Sequence, residues 1–389
     1  MSPGYLSSVL VLSACTACAL WPARRSGVFG TGVYLVGMTY NALPVLAFTL
    51  GVASTSLAMA RADLSRIGGL LTVLLPLPAL VGLGLVLLRA TRGIHVPGAA
   101  MAQVLGPGWR AGIDSRLGTG LRTRVPLARV LLMPFLRRRG DVERIGNIAY
   151  AGGGRRHRLD LYRSRQRRTG CPVFVHFHGG RFVSGAKNRE SLPLLYRLAS
   201  RGWLCISANY RLYPQARFPD YVVDAKRVVA WAREHGHEYG ADPAVLFVAG
   251  NSVGGYLATF VALTENHPAY QPGFTRTDTS VTGAVGLYGY YGRTEADVAD
   301  SSPQAHLHAA APPALLLHGD RDSVVPVQWA REFAAAWTDV SEQPLVYTEL
   351  PGAQHSFDYF DSLRGRLAVD QIEAFTAWVR SHRDRPAWS

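Results

Sequence analysis

The chain has 389 residues, more than one ordinary domain needs, and with 48% hydrophobic and 17% charged residues it is not a wholly disordered polymer. Its net charge of +14 comes almost entirely from arginine, since Lys187 and Lys226 are the only lysines. No zinc-finger, RNA-recognition or basic-zipper pattern accompanies that charge, so no nucleic-acid partner is expected. Cys15, Cys18, Cys171 and Cys205 have neither metal-ligand nor disulfide-framework spacing.

Residues 5–21, 27–60 and 67–88 carry no charged side chain. An apolar stretch of about 20 residues crosses the hydrocarbon core as a helix. Residues 1–92 are therefore expected to form a membrane region of three transmembrane helices, with Pro44 kinking the second. No charge interrupts the apolar cores, which speaks against transport. Arg24 and Arg25 occupy the first gap, Arg61, Asp63 and Arg66 the second, and Arg89 and Arg92 follow the third segment. With three spans, the first gap and everything after residue 92 share the arginine-rich side. The expectation is a multi-pass cell-membrane protein with its N-terminus outside and its C-terminal part in the cytoplasm. The first segment lacks the basic flank of a cleaved leader. Arginines beside apolar helices suit anionic headgroups, so membrane lipids are the expected partners of this region.

Residues 93–141 form a linker rich in Gly, Pro and Arg, in which "VPLARVLLMPFLRRR" (125–139) is expected either to rest on the membrane as an amphipathic stretch or to cap the following domain. From residue 142 the pattern changes to alternating strands and helices. "IGNIAYAGGGRRHRLDLYRS" reads as two strands around a glycine turn. "PVFVHFH", "WLCISANY", "AVLFVAG", "VTGAVGLYG", "ALLLHGD" and "PLVYTELP" read as further strands, with helices over "SLPLLYRLAS", "YVVDAKRVVAWAREHG", "GYLATFVALTEN" and "VQWAREFAAAW". Continuous apolar strands alternating with helices predict an α/β domain over 142–389, a mostly parallel sheet covered on both faces.

Ser252 sits where "AVLFVAG" ends and the next helix begins, within Gly250-x-Ser252-x-Gly254. A sharp strand–helix turn projects the hydroxyl above the sheet, and the flanking glycines permit close packing. The helix N-terminus supplies amides where negative charge would develop. A serine nucleophile also needs a base, an orienting acid and an oxyanion hole. Asp320 and Asp322 follow the strand "ALLL", and His355 follows the last strand, in the order that this chemistry takes on such a sheet. "FHGGRF" follows "PVFV", so the amides of Gly179, Gly180 and Val253 are the expected oxyanion donors. His178 is expected to orient that loop, and His176 to be a buried core residue.

The motifs "HFHGGRFVSG", "VLFVAGNSVGGYLA", "LLLHGDRDSVVPV" and "PGAQHSF", in this order over roughly residues 142–383, resemble the bacterial hormone-sensitive-lipase-like esterases. Actinobacterial membrane-associated lipase/esterases look closest, and prenylcysteine methylesterases are also similar. The resemblance implies an α/β-hydrolase fold, hydrolysis of carboxylic esters, and a triad of Ser252, Asp322 and His355, with Asp322 preferred over Asp320. Two positions depart from the family pattern: Asn251 stands where aspartate is common, and Arg181 where a third glycine is common. Both are weighed as substrate contacts, Arg181 for esters bearing an anionic group. The mechanism expected is two-step acyl transfer without metal or organic cofactor, on a small or lipid-like ester. Amide or formamide hydrolysis and acyl transfer are alternatives for the same triad, and a non-catalytic binding protein is disfavoured because no triad member is missing.

Overall fold

A computed structural model of the protein describes residues 2–22, 27–62, 65–118, 134–135, 137–152 and 154–383. Arg24, Arg25, Asp63 and most of the stretch 125–139 lie outside the described residues. The uncharged N-terminal sequence is helical. Helix α1 (Pro3–Leu20) is capped by Ser2, whose hydroxyl accepts the Tyr5 N–H at 3.3 Å. It is followed by α2 (Gly27–Ala42), α3 (Pro44–Met59), α4 (Ile67–Leu74) and α5 (Leu77–Arg92). Among the described residues, helix α1 and the 39-residue rod Ile67–Leu105 are long and apolar enough to cross a membrane, and the α2–α3 pair raises the candidate spans to at most three. At Pro44, where the sequence predicts a kink, the two helices meet at 87°. Proline has no N–H to give and clashes with the preceding turn, and Leu43 accordingly leaves helical geometry at φ −120°, ψ 45°.

Contacts fix the helix directions. Tyr5 Oη, at the start of α1, donates to Thr72 O (2.7 Å) on α4 and lies at hydrogen-bond distance (3.0 Å) from Thr55 Oγ1 near the end of α3. Farther along, Thr16 and Leu20 press on Gly82 of α5, where a Cβ would come within 2.7 Å of Thr16 Cγ2. Helix α1 thus runs parallel to α4–α5 and antiparallel to α3, and α2 crosses the end of α1, where a Cβ on Gly37 would lie 2.7 Å from Cys18 O and Tyr40 packs on Ala19 and Leu20. Gly51 of α3 fills the same role as Gly82: a Cβ there would meet Leu12 Cδ2 at 2.9 Å and Leu80 Cδ2 at 3.0 Å. Small residues let apolar helices approach closely.

The rod ends in α6 (Val96–Leu105), and after it comes the short α7 (Ser115–Gly118). Both lie on the C-terminal domain: Met101, Trp109 and Ile113 are buried with Phe375 and Trp378, and Asp114 N–H donates to Ser381 Oγ at 2.8 Å.

The domain is built on an eight-stranded sheet in the order β1-β2-β4-β3-β5-β6-β7-β8. The strands are β1 (Val142–Ala149), β2 (Arg158–Ser164), β3 (Cys171–Phe177), β4 (Leu204–Ala208), β5 (Ala241–Asn251), β6 (Gly283–Leu287), β7 (Ala314–Gly319) and β8 (Leu345–Leu350). Strand β2 is antiparallel to both β1 and β4, and every other pairing is parallel. All residues of β3, β4, β6 and β7 are buried, because helices cover both faces. Helices α8 (Leu192–Ser200) and α12 (Leu363–His382) cover one face; α9 (Asp220–His235), α10 (Val253–Leu263) and α11 (Val327–Val340) cover the other. Alternate residues of β5 feed the two cores, Leu246 and Val248 to one and Phe247 and Ala249 to the other. This is the architecture that the alternating pattern predicts.

A buried ion pair joins the helices of one face. Arg197 on α8 donates from Nε (2.7 Å) and Nη2 (2.6 Å) to the Glu373 carboxylate on α12. Glu373→Ala should cost about 3–5 kcal/mol, the usual loss when one partner of a buried pair is removed, read as a lower denaturant midpoint. An unchanged midpoint would mean that Asp370, 3.7 Å from the same guanidinium, takes over the charge.

Candidate active site

Strand β5 runs to Asn251 and α10 starts at Val253, so Ser252 alone makes the turn. Its φ of 55° and ψ of −119° are costly for an L-residue. Packing holds it there. A Cβ on Gly250 would lie 2.0 Å from Gly254 O, and one on Gly254 would lie 2.1 Å from Phe177 O, so only glycine fits either position. The Ser252 N–H donates to Leu287 O of β6 at 2.9 Å.

Asp322 and His355 lie in the loops after β7 and β8, at the C-terminal edge of the sheet, where open α/β sheets bind ligands. The His355 Nδ1–H donates to Asp322 Oδ2 at 2.6 Å, and both side chains are buried. Asp322 Oδ1 accepts the amides of Val324 and Val325, each at 2.8 Å. Burial alone raises the Asp322 pKa, but attraction to His355 and hydrogen bonds from His318 and His355 outweigh it and hold the carboxyl well below its usual range. Asp320 is exposed. The His355 ring packs edge-on against Tyr288, 4.5 Å between centroids, and Tyr288 directly follows Leu287, the acceptor for Ser252. Among the described residues no hydrogen bond yet joins His355 to Ser252. Such bonds commonly tighten only around substrate.

The glycine loop after β3 stands beside the serine, since a Cβ on Gly179 would lie 3.1 Å from Ser252 Cβ. One of the expected donors is already engaged. The Gly179 N–H is committed to Glu190 Oε2 at 2.5 Å, whereas the amides of Gly180, Arg181 and Val253 meet no acceptor among the described residues. Gly180, at φ 117°, leaves no room for a side chain: a Cβ there would strike Ser184 O at 2.2 Å. His178 is fully buried, stacks on Tyr210 at 4.5 Å and bonds Gly179 O through Nδ1 at 2.6 Å. Burial pulls its pKa down to about 3, so it is neutral. The Arg181 side chain is exposed.

Beneath the turn lies a polar cluster. Asn251 is 0% exposed and cannot touch substrate, contrary to the sequence expectation. Its Oδ1 takes His176 Nε2 and Ser191 Oγ (2.9 Å), and its Nδ2 donates to Tyr288 Oη and to the Asp358 carboxylate (3.1 and 3.2 Å). His176 is the buried core residue expected. Sequence reasoning missed Glu190, Tyr288 and Asp358. Asp358 lies three residues beyond His355, just past the quoted motif, but nothing local marks Glu190.

A serine on a strand–helix elbow, an aspartate–histidine pair after the last two strands and a glycine loop facing them, carried by a mostly parallel sheet, define an α/β-hydrolase of the serine type. Residues 159–296 match the family model BD-FAE. The chain is 35% identical to the probable carboxylic ester hydrolase LipM of Mycobacterium tuberculosis (strain ATCC 25618 / H37Rv), over 97% of this chain and 93% of the relative. It is 34% identical to esterase LipQ of the same organism, over 61% of this chain and 63% of the relative. The chain belongs to this family of actinobacterial carboxylic ester hydrolases, in the hormone-sensitive-lipase-like group. The solved structure of a truncated carbohydrate esterase from gut microbiota shares the fold, with a TM-score of 0.52 at 18% identity over 61% of this chain and 99% of that one.

Burial raises the Glu190 pKa from 4.5 to about 7; Asp358 pushes the same way, while the Gly179 N–H, His355 and Arg189 oppose. The folded protein therefore holds this proton more tightly than the unfolded chain does, and the stability it contributes is lost as pH rises from 4.5 through about 7. Glu190→Gln should flatten the decline in Tm between about pH 5 and about pH 8. A decline as steep as the wild type's would contradict this.

Proposed function

We propose that the protein is a membrane-anchored serine carboxylesterase of lipase type, cleaving small or lipid-like esters through an acyl-enzyme on Ser252. The observation that carries the reading is the short bond between His355 Nδ1 and Asp322 Oδ2 at the sheet edge that also holds Ser252. That bond fixes the tautomer with Nε2 free to act as base. His355 takes the Ser252 proton as the oxygen attacks the ester carbonyl, and Asp322 stabilises the imidazolium that forms. The amides of Gly180, Arg181 and Val253 receive the oxyanion, because Gly179 is engaged by Glu190. His355 then protonates the leaving alcohol and activates the water that releases the acid. Residues 142–389 are the catalytic domain, residues 93–141 connect it, and residues 1–92 hold it on the bilayer.

In the proposed topology α1, α3 and α4–α5 are the three crossings, which their alternating directions support. The catalytic domain then lies opposite the N-terminus. Arg89 and Arg92 at the end of α5 fall on its side and favour the cytoplasm.

The test is p-nitrophenol release from short- and long-chain esters by the detergent-purified chain. Ser252→Ala should reduce turnover to background, and Asp322→Asn should lower kcat on the order of 10⁴-fold, as loss of the correct histidine tautomer does in a triad. Wild-type turnover in Ser252→Ala would overturn the reading.

A further inference from the structure

The N-terminal region does more than sit beside the catalytic domain. Helix α2 reaches the catalytic histidine. Tyr34 Oη donates to Ser356 Oγ at 2.9 Å, one residue past His355. The Tyr34 ring meets the His355 ring edge-on, 6.2 Å between centroids at 65°. Ser356 has φ 59°, a conformation that a non-glycine residue keeps only when its surroundings hold it. One turn farther along α2, Met38 packs with Tyr359 and Phe360 of the same loop.

The end of α2 is fastened as well. The bend at Pro44 leaves carbonyls at the end of α2 without helical donors. Arg364 fills that need: its Nη1 donates to Asn41 O at 3.0 Å and to Asn41 Oδ1 at 3.1 Å, while Nε and Nη2 hold Pro351 O. Asn41 Nδ2 returns a bond to Gly352 O at 2.8 Å. Helix α2 is thus tied to the segment that carries His355 at residues 352, 356 and 364.

We infer that Tyr34 is a positioning residue for His355, so that the N-terminal region completes the active site as well as anchoring it. The inference rests on the triad reading above. The hydroxyl fixes Ser356 and with it the backbone of His355. The ring occupies the space beside the imidazole and restricts its rotation. Tyr34 acts through the histidine, so its loss is felt in kcat while KM stays in place.

The test compares the full-length wild type with Tyr34→Phe, Tyr34→Ala and Ser252→Ala in detergent micelles. The substrate is p-nitrophenyl butyrate, whose solubility removes bilayer access from the measurement. Small misplacements of a catalytic group cost up to about 10²-fold. Accordingly kcat should fall about 3–10-fold in Tyr34→Phe and about 10²-fold in Tyr34→Ala, each with KM within about twofold of wild type. The rate of Ser252 labelling by a fluorophosphonate should fall in parallel. Wild-type kcat in a folded Tyr34→Ala overturns the inference, as does a raised KM at unchanged kcat, which would make Tyr34 a wall of the substrate pocket. Should Tyr34→Ala fail to fold, Tyr34→Phe decides, and a wild-type kcat there overturns the inference. Activity retained in Ser252→Ala instead overturns the triad reading, a separate outcome.

Discussion

The catalytic edge depends on a steric contact: Gly254 lies against the backbone of β3. A Cβ there would come within 2.1 Å of Phe177 O and 2.7 Å of His178 O. The contact lets α10 leave β5 in a single residue, which places the Val253 amide directly beyond Ser252. It also sets how near the glycine loop can stand to Ser252, since that loop begins at the same two carbonyls. Ser252 and the glycine loop are therefore registered to each other by backbone packing.

The cluster below the turn explains one departure from the family pattern. Asn251 Nδ2 donates to the Asp358 carboxylate, which also accepts from Tyr288, and the single Ser191 hydroxyl proton is shared between Asp358 Oδ2 and Asn251 Oδ1. An aspartate at 251 would set two carboxylates against each other in a buried site, where like charges strongly disfavour ionisation. Asparagine offers an acceptor to His176 and Ser191 and a donor to Asp358 from one side chain.

Much of this was legible in the sequence, for physical reasons. Strands such as "PVFVHF" are buried on both faces and so read as continuous apolar runs, and Ser252, Asp322 and His355 each stand just past a strand end. What escaped was direction. A glycine-rich loop shows that amides can approach a ligand, but not that Gly179 points to Glu190, eleven residues away. An uncharged helix reads alike whether it crosses a bilayer or turns aside, so the course of α2 was hidden. The contact of Tyr34 with Ser356 joins residues 322 positions apart, and no local pattern encodes it.

The rod Ile67–Leu105 has a consequence for how the enzyme meets its substrate. At about 1.5 Å per residue, 39 helical residues reach about 58 Å, roughly twice the thickness of a hydrocarbon core. In the proposed topology the excess rises into the catalytic domain, where α6 is packed on the sheet. In that topology such a mast would fix the height and the heading of the domain over the lipid. The domain would then not sweep a volume as a tethered one does, and it would sample esters by lateral diffusion in a thin layer. Its rate would then follow the surface density of substrate in the membrane, and diluting the ester among other lipids would act on it as dilution in water acts on a soluble esterase.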